Sequence, residues 1–231
     1  MLNLKGLLNL LFESNCPLCQ RSTSKEFCHD CQRQVQQCQM ASSNCSVGEL
    51  PVFAWGVYGG TLKRAIAALK YENQPQLARP LGHWLAQAWS NSQFASTQVI
   101  VVPIPLHSDK LHQRGYNQAA LLAQSFCDLT GLPLQQKGLE RLRDTEAQFG
   151  LSLKKRETNL ARAFGLGSAF RRHHPASHVL LLDDVHTTGA TARSAVHTLH
   201  QSKIQVYGLV ALAQAEAFPP SPPVRDTVVK W

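Results

Sequence analysis

The sequence predicts an α/β fold, a mostly parallel sheet flanked by helices, with a small cysteine-rich module at its amino end. Three observations carry that expectation. Strand-like runs at 52–57, 99–102, 178–182 and 205–212 alternate with stretches of helical periodicity, the arrangement of β-strands joined by helical crossovers. Six of the seven cysteines precede residue 50, in a region with few long aliphatic runs after Phe12, as in modules held by crosslinks or metal. At 231 residues the chain has room for one full-sized core beside such a module.

Residues 1–50 are accordingly read as the module, 51–217 as the main domain, and 218–231 as an extended tail, because Pro219, Pro220, Pro222 and Pro223 oppose regular structure. No apolar run approaches the roughly 20 residues of a membrane-spanning helix. The stretch 7–12 reads as a short amphipathic helix. Its basic start is only Lys5 and no small-residue cleavage site follows, so a cytoplasmic protein without a membrane span is expected. The net charge of +8 favours an anionic partner, whether nucleic acid, polyphosphate or a diphosphorylated sugar, although solubility alone would also account for it.

Two helices can be placed. Thr61 is expected to cap one, with Leu62, Ala65, Ile66 and Leu69 on its buried face and Lys63, Arg64 and Lys70 toward solvent or a ligand. Asn117 is expected to cap the other. Its buried stripe would be Ala120, Leu121, Ala123, Phe126, Cys127 and Leu129, and Gly131 with Pro133 would end it.

The most specific segment is 179–191. An apolar strand through Leu182 runs into Asp183 and Asp184, and then Val185, His186, Thr187, Thr188, Gly189, Ala190 and Thr191 open a helix through Ala192, Ala195, Val196 and Leu199. Free N–H groups at a helix start, with the positive end of its dipole, make a phosphate cradle to which threonine hydroxyls add donors. Gly189 allows close approach of the backbone. Carboxylates just before the turn stand about a sugar's length from the phosphate and can accept hydrogen bonds from two ribose hydroxyls. A plain helix cap would require neither the paired acids nor the hydroxyl run. No G-x-x-x-x-G-K-[ST] run occurs, and Gly165-Leu166-Gly167 lacks both the strand and the third glycine of a dinucleotide fingerprint.

Cys16-Pro17-Leu18-Cys19 and Cys28-His29-Asp30-Cys31 are two C-x2-C knuckles separated by eight residues. Each short loop turns two thiolates toward one ion, which suits tetrahedral zinc. Disulfides are the alternative, disfavoured in a chain without an export signal. His29 could replace one ligand, but four thiolates are the simpler set. The role of Cys38 and Cys45 is left open between the remnant of a second metal site and free thiols, and Cys127 is read as core packing.

These residues also resemble a family. The segment 183–191 looks like the phosphoribosyl diphosphate (PRPP) loop of type I phosphoribosyltransferases, and in particular of the ComF family associated with natural DNA uptake. The resemblance extends through 8–19, through Tyr58-Gly59-Gly60 with Leu69-Lys70-Tyr71, and through Val102-Pro103-Ile104-Pro105-Leu106-His107 with Gln113-Arg114-Gly115-Tyr116-Asn117-Gln118. It continues through Arg141, Thr145, Gln148, Leu151, Arg156, Asn159 and Phe164. It implies a type I phosphoribosyltransferase-like fold in which Asp183 and Asp184 hold the sugar. Diphosphate would sit at the turn of Pro103, Ile104, Pro105, Leu106 and His107, with Lys70 and Arg114 as cations. Mg2+ would arrive with the ligand and take few protein ligands. The stretch 141–159, carrying Arg143, Lys154, Lys155 and Arg156, would be a mobile loop closing over the site, unless it is simply a solvated basic surface.

Three functions fit these observations. One is a PRPP-binding ComF-like protein working with DNA-uptake proteins, with or without phosphoribosyl transfer. Another is a nucleobase salvage phosphoribosyltransferase. The third is a non-catalytic adaptor for single-stranded DNA or a protein, for which there is little of the aromatic interleaving that base stacking needs. No residue set in the sequence identifies the acceptor.

Overall fold

The computed structural model of the chain describes residues 14–40, 44–47, 50–143 and 163–215. The amphipathic stretch 7–12, the tail from 218, and most of the 141–159 loop, including Lys154, Lys155 and Arg156, lie outside the described residues.

In chain order, strands β1 (Ser14–Asn15) and β2 (Ser22–Thr23) pair within the cysteine module, followed by helix α1 (His29–Gln36). Strands β3 (Asn44–Val47) and β4 (Leu50–Val57) lead to α2 (Gly60–Tyr71), a 3-10 turn (Pro75–Leu77) and α3 (Ala78–Ser90). Then come β5 (Val99–Pro103), α4 (Ser108–Arg114), α5 (Gln118–Thr130), and the short pair β6 (Leu139–Arg141) and β7 (Phe164–Leu166). Helix α6 (Ser168–Arg172), β8 (His178–His186), α7 (Ala190–Gln201) and β9 (Val206–Gln214) complete the domain.

The main sheet has the order β3-β4-β9-β8-β5. Its four strands from β4 to β5 are mutually parallel, and β3 adds antiparallel to β4 at one edge, so the sheet draws Asn44–Val47 from ahead of the main domain. The strands are apolar on both faces, as parallel strands covered by helices must be. Alternation divides them into two cores. Phe53, Trp55, Val101, Leu180, Leu182, Val210 and Leu212 pack with α2, α3 and α5. Val52, Val102, Val179, Leu181 and Leu209 pack with α7 and the β6–β7 pair.

Three expectations on local structure change. The strand expected at 178–182 runs on to His186, because β9 continues to pair with it at Asp183↔Ala211, Val185↔Ala213 and His186↔Gln214. Thr61 is not the cap of α2. Gly59 occupies that place, and the Thr61 hydroxyl, in the first turn, donates to Gln34 Oε1 on α1 at 3.3 Å. Asn117 does cap α5, its Oδ1 accepting from Ala119 N at 3.0 Å, and Gly131 ends it. The buried face of α5, however, is Gln118, Ala119, Leu122, Ala123, Ser125, Phe126 and Cys127, while Leu129 is 46% exposed. The cause is Gly82 on α3, whose missing side chain lets the two helices touch at Leu122 and Ser125.

The cysteine module shares its core with the main domain. Cys16, Leu18, Phe27, Cys31 and Val35 belong to the same buried cluster as Trp55, Leu62 and Leu85. Phe27 stacks on Trp84 of α3 (5.9 Å, 20°), which stacks on Trp55 of β4 (6.0 Å, 19°). Arg64 of α2 donates to the Leu18 carbonyl inside the first knuckle.

The α3–α5 contact yields a test. Alanine at position 82 gains up to about 1 kcal/mol in helix propensity over glycine. Its methyl would stand 2.6 Å from Ser125 Cβ and 2.8 Å from the Leu122 carbonyl oxygen, and backbone yields little. Gly82→Ala is therefore expected to destabilise the fold by roughly 1–3 kcal/mol, seen as a lower urea midpoint at unchanged m-value. A variant as stable as the wild type would show that this close approach is not required.

Candidate functional site

Ligands of open α/β sheets bind outside the carboxyl ends of the strands, and there this chain gathers its charged residues. Helix α2 begins beside the end of β4, where Leu62 packs on Gly56. Its last turn reaches β8, with β9 between the two strands in the sheet. There Lys70 forms an ion pair with Asp184 Oδ2, and the Tyr116 hydroxyl donates to the Leu69 carbonyl at 2.6 Å. Helix α2 thus lies across the carboxyl edge.

The two acids are not equivalent. As adjacent strand residues they face opposite sides of the sheet. Asp184 is 3% exposed and faces α2 and α5, where Gln118 Nε2 donates to its Oδ1 at 3.0 Å beside the Lys70 pair. Arg114 in turn donates to Gln118 Oε1 and stands over the Tyr71 ring at 5.3 Å. Burial draws the Lys70 ammonium down, but the Asp184 carboxylate, with Asp183 behind it, holds it above its ordinary 10.5. Asp183 is half-buried and lines a shallow hollow with Thr187, Gly189 and Thr191. Both acids were expected to meet ligand at the strand's end; in the structure Asp184 is engaged by Lys70 and Gln118, whereas Asp183 opens toward the turn.

The turn after β8 has the form the sequence implied. Gly189, at φ 73°, adopts the left-handed conformation that glycine tolerates best and precedes the first residue of α7. Thr188 Oγ1 accepts from Ala190 N at 3.4 Å, and the Thr188 carbonyl accepts from Arg193 Nη1 at 2.9 Å, so this residue stabilises the turn itself. Among the described residues nothing engages the Thr187 or Thr191 hydroxyls, which remain available to a ligand. His186 is 5% exposed with neither ring nitrogen hydrogen-bonded among the described residues. Burial, and then Arg193, lower its pKa, so the ring is held neutral.

The turn after β5 is tighter than expected. Pro103 is the last residue of the strand. Ile104 is buried, its N–H donates to the Leu182 carbonyl at 2.9 Å, and its own carbonyl accepts from Asn117 Nδ2 at 3.0 Å. Ile104 therefore has no backbone donor to offer a diphosphate. Pro105 and Leu106 are half-buried, and His107 caps α4 through Nδ1 and Asp109 N at 3.4 Å.

A second centre lies in the cysteine module. The sulfurs of Cys16, Cys19, Cys28 and Cys31 all fall within 4.8 Å of one another. Tetrahedral thiolates at the usual zinc–sulfur distance would be about 3.8 Å apart, and Cys19 and Cys28 are 3.5 Å apart, much too far for a disulfide. The first knuckle closes by Gln20 N donating to the Cys16 carbonyl at 2.8 Å, with Gln20 at a positive φ of 63°. The second is the start of α1, where Cys28 is the cap and Cys31 lies in the first turn. The donor set suits a thiophilic metal ion. Arg21, which sequence reading missed, donates to Cys19 Sγ at 3.4 Å and to Asp30 Oδ2 at 2.8 Å, and its bonds bring the Cys19 thiol down to about 6. His29 is 87% exposed and pairs with Asp30. Cys38 is half-buried beside the Gln34 and Gly59 carbonyls, outside the cluster. Cys127 is core, with burial pushing its thiol to about 12.

Gln118 and Tyr116 were also missed as functional residues. Their signal was present in the family-like run 113–118, but which of its members reaches β8 depends on the packing of α5.

The protonation of Asp183 gives a test. Burial first, and then the Asp184 charge, raise its carboxyl well above 3.8. The folded state therefore holds a proton here that the unfolded chain has released, so this group's contribution to stability is fully present below about pH 3.8 and is lost as pH rises through the folded pKa. Asp183→Asn keeps the acceptor for Asp184 N and removes the charge. The unliganded variant should be more stable than the wild type near pH 7, and the gap should close as the pH approaches about 4. Urea titrations giving the same difference at both pH values would contradict this.

No family model matches the chain. Competence protein F of Haemophilus influenzae is 30% identical over 218 residues, covering 89% of this chain and 93% of that protein. The DNA utilization protein YhgH of Salmonella typhi is 29% identical over 137 residues, 58% of this chain and 59% of that one. Among solved structures, an adenine phosphoribosyltransferase from Leishmania donovani overlaps 80% of this chain and 93% of its own at 12% identity, with a TM-score of 0.37, too loose to support an argument. The match to Competence protein F spans most of both chains, and by it this chain belongs to the ComF family.

Proposed function

We propose that the chain binds PRPP with Mg2+ at the carboxyl edge of the sheet and supports DNA uptake in natural transformation. The observation that carries the ligand is the turn after β8: an acid beside free hydroxyls, a left-handed glycine and a helix start, at the end of an interior strand. The uptake role is supported by the family and by the names of its relatives, competence and DNA utilization proteins.

In this reading the 5-phosphate lies against the N–H groups at the start of α7, with the Thr187 and Thr191 hydroxyls as further donors. Asp183 accepts from the ribose hydroxyls, and Asp184, held by Lys70 and Gln118, keeps the strand end in place. Lys70 and Arg114 supply positive charge toward the diphosphate, with Pro105, Leu106 and His107 as the neighbouring turn. Mg2+ would neutralise diphosphate charge chiefly through the ligand's own oxygens. Should transfer be retained, a nucleophile bonds to C1 of the ribose as the C1–diphosphate bond breaks, and these cations stabilise the departing charge. In the cysteine module, Cys16, Cys19, Cys28 and Cys31 would hold structural zinc, with Arg21 offsetting thiolate charge.

Calorimetric titration with PRPP and Mg2+ tests the ligand. Binding by the wild type, weakened by about 1.5–3 kcal/mol in Asp183→Asn, is expected from the loss of charge-assisted hydrogen bonds to ribose. Unchanged affinity in the variant would remove Asp183 from the site.

Metal analysis tests the module, with one zinc per chain expected in protein purified without chelators. A module without contacts to the main domain would lose only its own fold when the metal is stripped. The shared core and the Arg64–Leu18 bond imply more. A strong chelator should alter Trp84 and Trp55 fluorescence and expose the amides of α2 to hydrogen exchange. Zinc-free protein with unchanged α2 protection would refute both the metal and the coupling.

A further inference from the structure

Helix α2 makes a polar contact with each of the two centres described above. In its first half, Arg64 donates through Nη2 to the Leu18 carbonyl, which lies between the two cysteines of the first knuckle. That carbonyl shares a planar peptide with the Cys19 N–H, and the same N–H donates to the Cys16 carbonyl at 3.3 Å. Holding the Leu18 oxygen therefore fixes the peptide that carries Cys19 into the four-sulfur cluster. In the last turn of α2, about 9 Å further along the axis, Lys70 pairs with Asp184 and the Leu69 carbonyl accepts from the Tyr116 hydroxyl at 2.6 Å. Between the two contacts Ala65, Ile66, Ala68 and Leu69 are buried, so this part of the helix is packed along its length. A packed element passes a displacement on rather than absorbing it.

We propose that Arg64 is a positioning residue through which the cysteine module sets the affinity of the sugar-phosphate site, so that zinc and PRPP are bound cooperatively. Four sulfurs gathered on one ion make the first knuckle rigid and give Arg64 a fixed carbonyl to hold. Without that common centre the knuckle presents the Leu18 oxygen in more than one place, and α2 keeps Lys70 at Asp184 in a smaller fraction of molecules. Only that fraction has the end of β8 ordered for a ligand, and the measured affinity falls with it. Linkage is reciprocal, so a ligand that favours the ordered edge also favours retention of the metal. The second ligand rests on the PRPP reading, whereas the relay through Arg64 does not.

The test compares the zinc-loaded full chain with its Arg64→Gln and Arg64→Lys variants. Saturating PRPP with Mg2+ is expected to slow zinc transfer from the wild type to a chromogenic chelator at least about fivefold, relative to Mg2+ alone. Arg64→Gln should keep its zinc, bind PRPP about fivefold more weakly by calorimetry and lose most of the slowing. Arg64→Lys, which retains a donor of the same charge, should recover both. Hydrogen exchange needs no ligand: in zinc-loaded Arg64→Gln, the amides of residues 69–72 should exchange at least about fivefold faster than in the wild type.

Zinc release from the wild type that ignores bound PRPP overturns the proposal. The full effect retained in Arg64→Gln also overturns it and gives the coupling to the Phe27–Trp84–Trp55 stack instead. Faster exchange confined to residues 60–64 overturns it as well, leaving Arg64 a local brace of the module. If PRPP gives no heat of binding, the PRPP reading is removed and exchange at 69–72 decides the relay alone: faster exchange upholds it, and unchanged exchange overturns it.

Discussion

A carboxylate buried on a central strand must be given a counter-charge, and the arrangement of this protein's carboxyl edge follows from that constraint. Asp184 is 3% exposed. Taking such a group from water costs several kcal/mol, which only a close cation and further hydrogen bonds can offset. Lys70 provides the cation and Gln118 the hydrogen bond. To bring Lys70 there, α2 has to cross from β4 to β8, and to bring Gln118 there, α5 has to start beside the end of β8. The Arg114–Gln118 bond then fixes the guanidinium against Tyr71. One buried charge thus orders three helices.

The cysteine module enters the same network through α2. Thr61 bonds to Gln34, Arg64 to the Leu18 carbonyl and Lys70 to Asp184, so one helix touches the knuckles at one end and the central strand at the other. The Phe27–Trp84–Trp55 stack adds an apolar connection between module and sheet. A module with little core of its own depends on its thiolates and on this borrowed surface. The main domain, in turn, has the helix carrying Lys70 braced by the module.

The neighbouring acid shows the opposite economy. Asp183 has no such counter-ion of its own, and its raised pKa is the cost of keeping a carboxyl beside a hollow lined by hydroxyls. Sites arranged for a ligand commonly carry such strain in the free protein. The same residue that destabilises the free fold near neutral pH is the one for which a sugar-binding role is proposed.

Much of this was legible in the sequence because local patterns decide it. The parallel strands announced themselves as continuous apolar runs, since both faces of a covered sheet are buried. The knuckle spacing predicted the sulfur cluster, since a two-residue gap leaves few ways to turn two thiolates. The run Thr187-Thr188-Gly189 predicted its turn, since glycine tolerates a left-handed φ better than any other residue. The exposed Leu129 and the buried Gln118 were not legible, because the roll of α5 is set by contact with Gly82, some 40 residues earlier in the chain. The different roles of Asp183 and Asp184 were not legible either. Two adjacent acids read alike in a sequence, and only the pleat of β8, with a lysine on one side and a turn of hydroxyls on the other, decides which is held by the protein and which opens onto the turn.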